Sequence, residues 1–211
     1  MSSHPPCELI SWGQIYGLCR KLSYKIRASG FTPDMIVAIG RGGYIPGRIL
    51  ADLLGLMDLV GIRIEHYHGA RKGAAARIRQ PLSIGIGGRR ILLLDDVSDT
   101  GETFEVALEH LRENGAAEQM HTAAIHHKIV SRIEPDFYAR KIVKWRWIIY
   151  PWAVLEDLSA FAWEMEPIPT DPETLRHLLW SERALKVKRA TLEDVLALMA
   201  AQAQTRDPSV D

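Results

Sequence analysis

The sequence predicts an α/β fold, an open and mostly parallel sheet with helices on both faces. Three observations carry this expectation. Short apolar runs alternate with segments of helical periodicity along most of the chain, the pattern of successive strand–helix–strand units. The run Ile91-Leu92-Leu93-Leu94 is apolar at every position, as a strand buried on both sheet faces must be. Loops of small residues follow two of the runs, at Gly40-Arg41-Gly42-Gly43 and Ser98-Asp99-Thr100-Gly101. Sheets of this class bind ligands beyond the carboxyl ends of their strands, so the two loops can share one cleft.

The elements follow in order. Ser11 reads as a helix N-cap, with helix to about Ala28 and Ser29-Gly30 as its stop. A buried strand over 35–39 runs into the first glycine loop. A helix over 45–54 ends at Gly55, and 60–67 reads as a strand. Residues 68–88 carry no clear periodicity, several glycines and the cations Arg71, Lys72, Arg77 and Arg79. So long a connection is functional or mobile. The strand over 91–95, a helix over 102–114 stopped by Gly115, and a strand over 120–126 come next. From 141 to 163 the texture changes: Trp145, Trp147, Tyr150, Trp152 and Trp163 crowd together, and Pro151 interrupts regular structure. Glu166-Pro167-Ile168-Pro169 reads as a linker. Thr170-Asp171-Pro172-Glu173 opens a helix, with Pro in the first turn. A second helix over 191–203 presents Leu192, Val195, Leu196 and Met199 on its apolar face, and the chain frays beyond it.

Composition narrows the class. Apolar residues make up 47%, which argues against disorder. Lys+Arg and Asp+Glu stand at 26 each, so net charge offers nothing to a nucleic acid, and no such partner is expected. Cys7 and Cys19 are too few for a disulfide framework and fit a reducing compartment. The first six residues lack a signal pattern, and no apolar run approaches the ~20 residues of a membrane span. A cytoplasmic protein without membrane association is expected.

The chemistry concentrates in Asp95-Asp96-Val97-Ser98-Asp99-Thr100-Gly101-Glu102-Thr103. Small residues and hydroxyls lead into a helix whose first N–H groups lack partners, which is a cradle for a phosphate. The adjacent carboxylates just upstream suit two neighbouring hydroxyls or a hydrated divalent cation. Asp99 with Glu102 also fits a capping box, which would leave the acidic pair unexplained. Gly40-Arg41-Gly42-Gly43, between a strand and a helix, offers N–H groups and one cation to an anion, or is a tight turn.

The ordered stretch from Ile91 to Thr103 resembles the phosphoribosyl-diphosphate (PRPP) motif of the type I phosphoribosyltransferases. His126-His127-Lys128 and Trp147-Ile148-Ile149-Tyr150-Pro151-Trp152 are similar to segments of the xanthine-guanine and hypoxanthine-guanine members. Ile129 stands where that family usually has Pro after the Lys. The resemblance implies a phosphoribosyltransferase domain over 1–166 with an aromatic hood around 141–165. It leaves a helical appendage over 170–211 unaccounted for.

The implied reaction joins a 6-oxopurine (guanine, xanthine or hypoxanthine) to PRPP, releasing pyrophosphate and a nucleoside monophosphate in purine salvage. Asp99, as general acid or base, and Arg41 would be catalytic. Asp95, Asp96, Ser98, Thr100, Gly101, Glu102, Thr103, Gly42 and Gly43 would bind PRPP. Asp95 and Asp96 would also hold Mg²⁺ through water. Lys128 would take the 6-oxo group, Trp147 would stack on the base, and the main chain near Ile148 would read its 2-position. Trp152 and Trp163 fit a hydrophobic hood core better than a ligand role. The family implies a homodimer or homotetramer. Two rivals stay open: another acceptor base, and a PRPP-sensing regulator that binds nucleic acid.

Overall fold

The computed structural model describes residues 6–67 and 75–206. In chain order the elements are β1 (Cys7–Leu9), α1 (Trp12–Ala28), β2 (Met35–Gly40), α2 (Tyr44–Leu54), β3 (Leu59–Tyr67), β4 (Ala75–Gln80) and β5 (Arg90–Ser98). Then come α3 (Glu102–Glu113), β6 (Gln119–Lys128), β7 (Phe137–Ile142), β8 (Trp147–Ile149), α4 (Val154–Trp163), α5 (Pro172–Arg183) and α6 (Arg189–Arg206). They fall into two units. One is Gly13–Val143; the other joins Met1–Trp12 to Lys144–Asp211.

The first unit is built on a six-stranded sheet of order β4-β3-β2-β5-β6-β7. Every neighbouring pair is parallel except β3–β4, which is antiparallel at the edge. All six residues of β2 are buried, as are the first apolar positions of β5, so these central strands read as unbroken apolar runs. Alternation divides them between two faces. Val37, Ile39, Ile91 and Leu93 pack against Phe104, Ala107 and Leu111 of α3. On the other face α2 comes so close that a Cβ at Gly47 would meet Leu59, Ala38 and Leu94 within 3.7 Å. From β2 the chain passes through α2 to β3 on one side; from β5 it passes through α3 to β6 on the other. The strand order therefore switches between β2 and β5, which opens a crevice at their carboxyl ends.

Three sheet elements differ from the sequence expectation. The segment 68–88 contains β4, whose Ile78 pairs with Ile64 across an irregular register, so pairing with β3 imposes a strand that periodicity hides. Arg71 and Lys72 lie outside the described residues. The strand expected to end at Asp95 continues to Ser98, because β6 runs beside it and pairs Val97 with His126 and Ser98 with His127. β7, in which Arg140 and Lys141 break up an otherwise apolar and aromatic stretch, is an edge strand stabilised by pairing with β6.

In the second unit β1 and β8 form a parallel pair, Cys7 opposite Trp147 and Leu9 opposite Ile149. Asp171 caps α5, its Oδ1 accepting from the N–H groups of Glu173 and Thr174 at 3.0 Å. Leu192, Val195 and Met199 are buried on α6 as its apolar pattern requires, and the helix runs to Arg206. The Trp-rich segment also holds a helix, α4. Ile149, Leu158, Phe161 and Met165 share one core with Leu175, Leu179, Leu192 and Val195, so the hood residues and the C-terminal helices are packed together. Short hood elements cannot bury their apolar faces alone, and the two amphipathic helices supply the missing half.

Leu93 is fully buried at the centre of the sheet core. Leu93→Ala is expected to lower unfolding free energy by about 3 kcal/mol, the transfer and cavity cost of such a truncation. Urea unfolding checks this, and a loss below about 1 kcal/mol would contradict the packing described.

Candidate active site

The crevice between β2 and β5 is lined from both sides. After β2, the Gly40–Arg41 peptide is cis, and Gly43 N–H donates to Ile39 O at 2.8 Å to close the turn. Gly43 then accepts from Gly47 N–H at 2.8 Å, which starts α2. These glycines meet β5 closely. A Cβ on Gly42 would overlap the Asp96 carboxylate, and one on Gly43 would lie 2.6 Å from Leu94 O. Arg41, between Gly40 and Gly42, is exposed.

Asp95 is buried and Asp96 half-buried at the end of β5. The Asp96 N–H donates to Asp95 Oδ1 at 2.8 Å. Burial and the neighbouring Asp96 charge push the Asp95 carboxyl well above the ordinary carboxylate range. Among the described residues no group of three or more His, Cys, Asp or Glu could hold a metal. Two adjacent carboxylates do fit Mg²⁺ that keeps waters and takes further oxygens from a phosphate ligand.

The loop that follows is braced from behind. Ser98 is buried, its hydroxyl 2.7 Å from Ser131 Oγ and donating to Ile133 O at 2.9 Å. Its side chain thus supports the loop rather than facing the crevice. Arg132 N–H donates to Thr100 O at 2.9 Å. Gly101 has φ 93, and a Cβ there would lie 2.8 Å from Ile133 N, so this turn excludes side chains twice over. Gly101 is the N-cap of α3 and has no side chain to bond the first N–H groups; Thr100 Oγ1 accepts from Glu102 N–H at 3.4 Å. The backbone of Gly101, Glu102 and Thr103 therefore forms a helix N-terminus at the edge of the crevice.

Asp99 is not the capping residue that a capping box requires. Its Oδ2 accepts from Lys128 Nζ at 2.6 Å. Lys128 ends β6 and is 4% exposed in its side chain, against 40% for Asp99. A buried ammonium is tolerated because a carboxylate meets it. His126 and His127 beside it are buried in the sheet, and His127 packs on Tyr138 at 5.1 Å.

Trp147 and Ile148 belong to the second unit. Trp147 is 39% exposed and Ile148 buried. Trp147 N–H donates to Pro6 O at 2.9 Å, its indole N–H bonds Asp157, and its ring meets Phe161 edge-on at 6.2 Å and 71°. Burial pushes the Asp157 carboxyl up to about 6, against the opposing effect of that hydrogen bond. Trp152 stacks on Tyr150 at 4.8 Å, and Trp163 Nε1 donates to Gln202 Oε1 at 3.1 Å, both internal to the unit. Sequence reasoning missed Asp157, for a lone Asp in a helical stretch carries no signal. It also missed the Lys128–Asp99 pair, which joins residues 29 apart in the chain.

The family model described as "Phosphoribosyl transferase domain" matches residues 8–157. A purine phosphoribosyltransferase from Pyrococcus horikoshii shares 31% identity over 69% of this chain and 93% of its own, with a TM-score of 0.63. A hypothetical protein from Neisseria gonorrhoeae with bound ppGpp shares 26% over 71% of this chain and 90% of its own, also at 0.63. The xanthine-guanine-hypoxanthine phosphoribosyltransferase of Helicobacter pylori, at 21% identity, covers 73% of this chain and 99% of its own at 0.64, a likeness of fold.

The Asp157 shift has a measurable sign. Its folded pKa of about 6 lies above the ~3.9 of an unfolded Asp, so its contribution to stability is complete below about pH 4 and lost as pH rises through 6. Asp157→Asn removes the titration. Urea unfolding at intervals from pH 4 to 7 is expected to show the variant gaining on the wild type as pH rises; parallel curves would refute the shift.

Proposed function

The chain belongs to the phosphoribosyl transferase domain family, and from that premise we propose that it moves the 5-phosphoribosyl group of PRPP onto a 6-oxopurine: guanine, xanthine or hypoxanthine. The products are pyrophosphate and a nucleoside monophosphate, which makes it a salvage enzyme of the cytoplasm, and the family implies a homodimer or homotetramer. The observation that carries the purine reading is Lys128 Nζ at 2.6 Å from Asp99 Oδ2. A buried ammonium at the end of a sheet strand can donate to the exocyclic 6-oxygen of a purine and repels an amino group. The carboxylate beside it can take the proton that a purine nitrogen sheds as it bonds to ribose C1′.

Catalysis is mainly positioning and charge stabilisation. Arg41 and the N–H group of Gly42 hold the departing pyrophosphate, while Gly43, whose N–H is spent on Ile39 O, contributes only the close approach of the backbone. Asp95 and Asp96 hold the ribose hydroxyls, while Thr100, Gly101, Glu102 and Thr103 bind the 5′-phosphate through backbone N–H groups. Asp95 and Asp96 would hold Mg²⁺ through water, and the cation would supply charge neutralisation to the leaving group. Trp147, partly exposed and held by its own neighbours, offers a flat face to the base. A regulatory ligand of the same site is favoured by the Neisseria relative with bound ppGpp, since ppGpp joins a 6-oxopurine to diphosphates.

A Mg²⁺-dependent assay with PRPP and guanine, xanthine, hypoxanthine, adenine, uracil or orotate tests the reading. Turnover of one or more 6-oxopurines and not adenine is expected, with ppGpp inhibiting in competition with PRPP. Asp99→Asn should lower kcat about a hundredfold while PRPP binding stays within about twofold. Saturable PRPP binding without turnover of any base would overturn the enzyme reading in favour of a PRPP sensor.

A further inference from the structure

Inside the second unit, Trp147 is braced from three directions. The β1–β8 pairing fixes its backbone, with Cys7 directly opposite. Asp157, in the first turn of α4, accepts its indole N–H. Phe161, one turn further along α4, meets its ring edge-on. Phe161 in turn lies beneath the guanidinium of Arg183, 3.8 Å from the ring centroid, and Arg183 comes from the last turn of α5. Arg183 Nη2 donates to Glu164 Oε2 at 3.0 Å, and the side chain also hydrogen-bonds Cys7. Its side chain is 3% exposed.

Both polar groups are costly for a small core. Apolar residues of similar volume at 157 and 183 would serve packing as well or better, because buried charges lose hydration. Their geometry points to orientation instead. An indole has a single donor, so one acceptor selects one rotation of the ring about its Cβ–Cγ bond. The edge contact with Phe161 sets the tilt, and the cation over the Phe161 ring holds that ring in turn. The exposed part of the Trp147 indole is left for a ligand.

Resting on the assignment of Trp147 to the flat face of the purine, we propose that Asp157 is a positioning residue for base recognition. It fixes the indole plane through the Nε1 hydrogen bond, and the C-terminal helices complete the brace through Arg183 on Phe161. The segment beyond residue 157, outside the family match, thereby acquires a role in base binding.

Steady-state kinetics of the full chain test this, with thermal melts to select folded variants. Trp147→Ala is expected to raise KM for the 6-oxopurine. Asp157→Leu, which fills the space without an acceptor, should raise base KM about tenfold, with kcat and PRPP KM within about twofold of wild type. Asp157→Asn keeps an acceptor and should restore base KM to within about twofold. If Asp157→Leu does not fold, Phe161→Leu carries the same expectation from the other contact. If Trp147→Ala raises base KM while Asp157→Leu, or Phe161→Leu in its place, lowers only the melting temperature, the positioning role is overturned and the function stands. If Trp147→Ala itself leaves base KM unchanged, the assignment of Trp147 fails, and the inference with it.

Discussion

Less than a methyl group separates the Gly40–Gly43 turn from β5. A Cβ on Gly42 would overlap Asp96, and one on Gly43 would collide with carbonyl oxygens of both β2 and β5. That closeness brings the glycine turn against the acidic pair. It is available only where two central parallel strands lie side by side while their connections leave in opposite directions. The rest of the sheet unit serves this juxtaposition. Apolar faces of α2 and α3 clamp β2 and β5 from above and below, and the 131–133 loop presses Gly101 into its left-handed turn. The two glycine-bearing loops follow β2 and β5, so both lie at the carboxyl ends of neighbouring strands.

Among the described residues Asp95, Lys128 and Arg183 are buried charged side chains, and the first two coincide with the proposed chemistry. Asp95 sits beside Asp96 with its carboxyl driven upward, so a bound cation or hydroxyl pair would relieve a real electrostatic cost. Lys128 is sealed in the sheet with Asp99 as its visible partner carboxylate. The half-exposed Asp34–Arg90 pair contrasts with both: Arg90 holds Asp34 down to about 2, yet a pair that water still reaches adds little to stability. The buried charges are therefore better read as functional commitments than as stabilising contacts.

The second unit follows the same logic with different materials. Two short strands and one helix cannot bury their aromatic residues, and α5 and α6 provide the covering face. The helices also contribute Arg183 to the aromatic cluster, so an appendage without a counterpart in the family match is built into the hood.

What the chain determines by itself is local. Apolar runs of strand length, helical periodicity on α6, the Asp171 cap and the glycine stop at Gly55 each act within a few residues, and each is legible in the order of amino acids. The run from Asp95 to Thr103, on which the family resemblance rests, is legible for the same reason, since its residues are contiguous. Tertiary structure decided what depends on distant partners. β4 and β7 exist because a neighbouring strand accepts their backbone, and β5 continues to Ser98 because β6 runs beside it. Ser98 turned inward to meet Ser131 and Ile133, Asp99 left the cap position to meet Lys128, and Asp157 took the indole of Trp147. Hydrogen bonds and ion pairs between residues far apart in the chain leave no periodic trace in sequence. They are settled only when packing brings the partners within 3 Å and removes the water that would otherwise satisfy them.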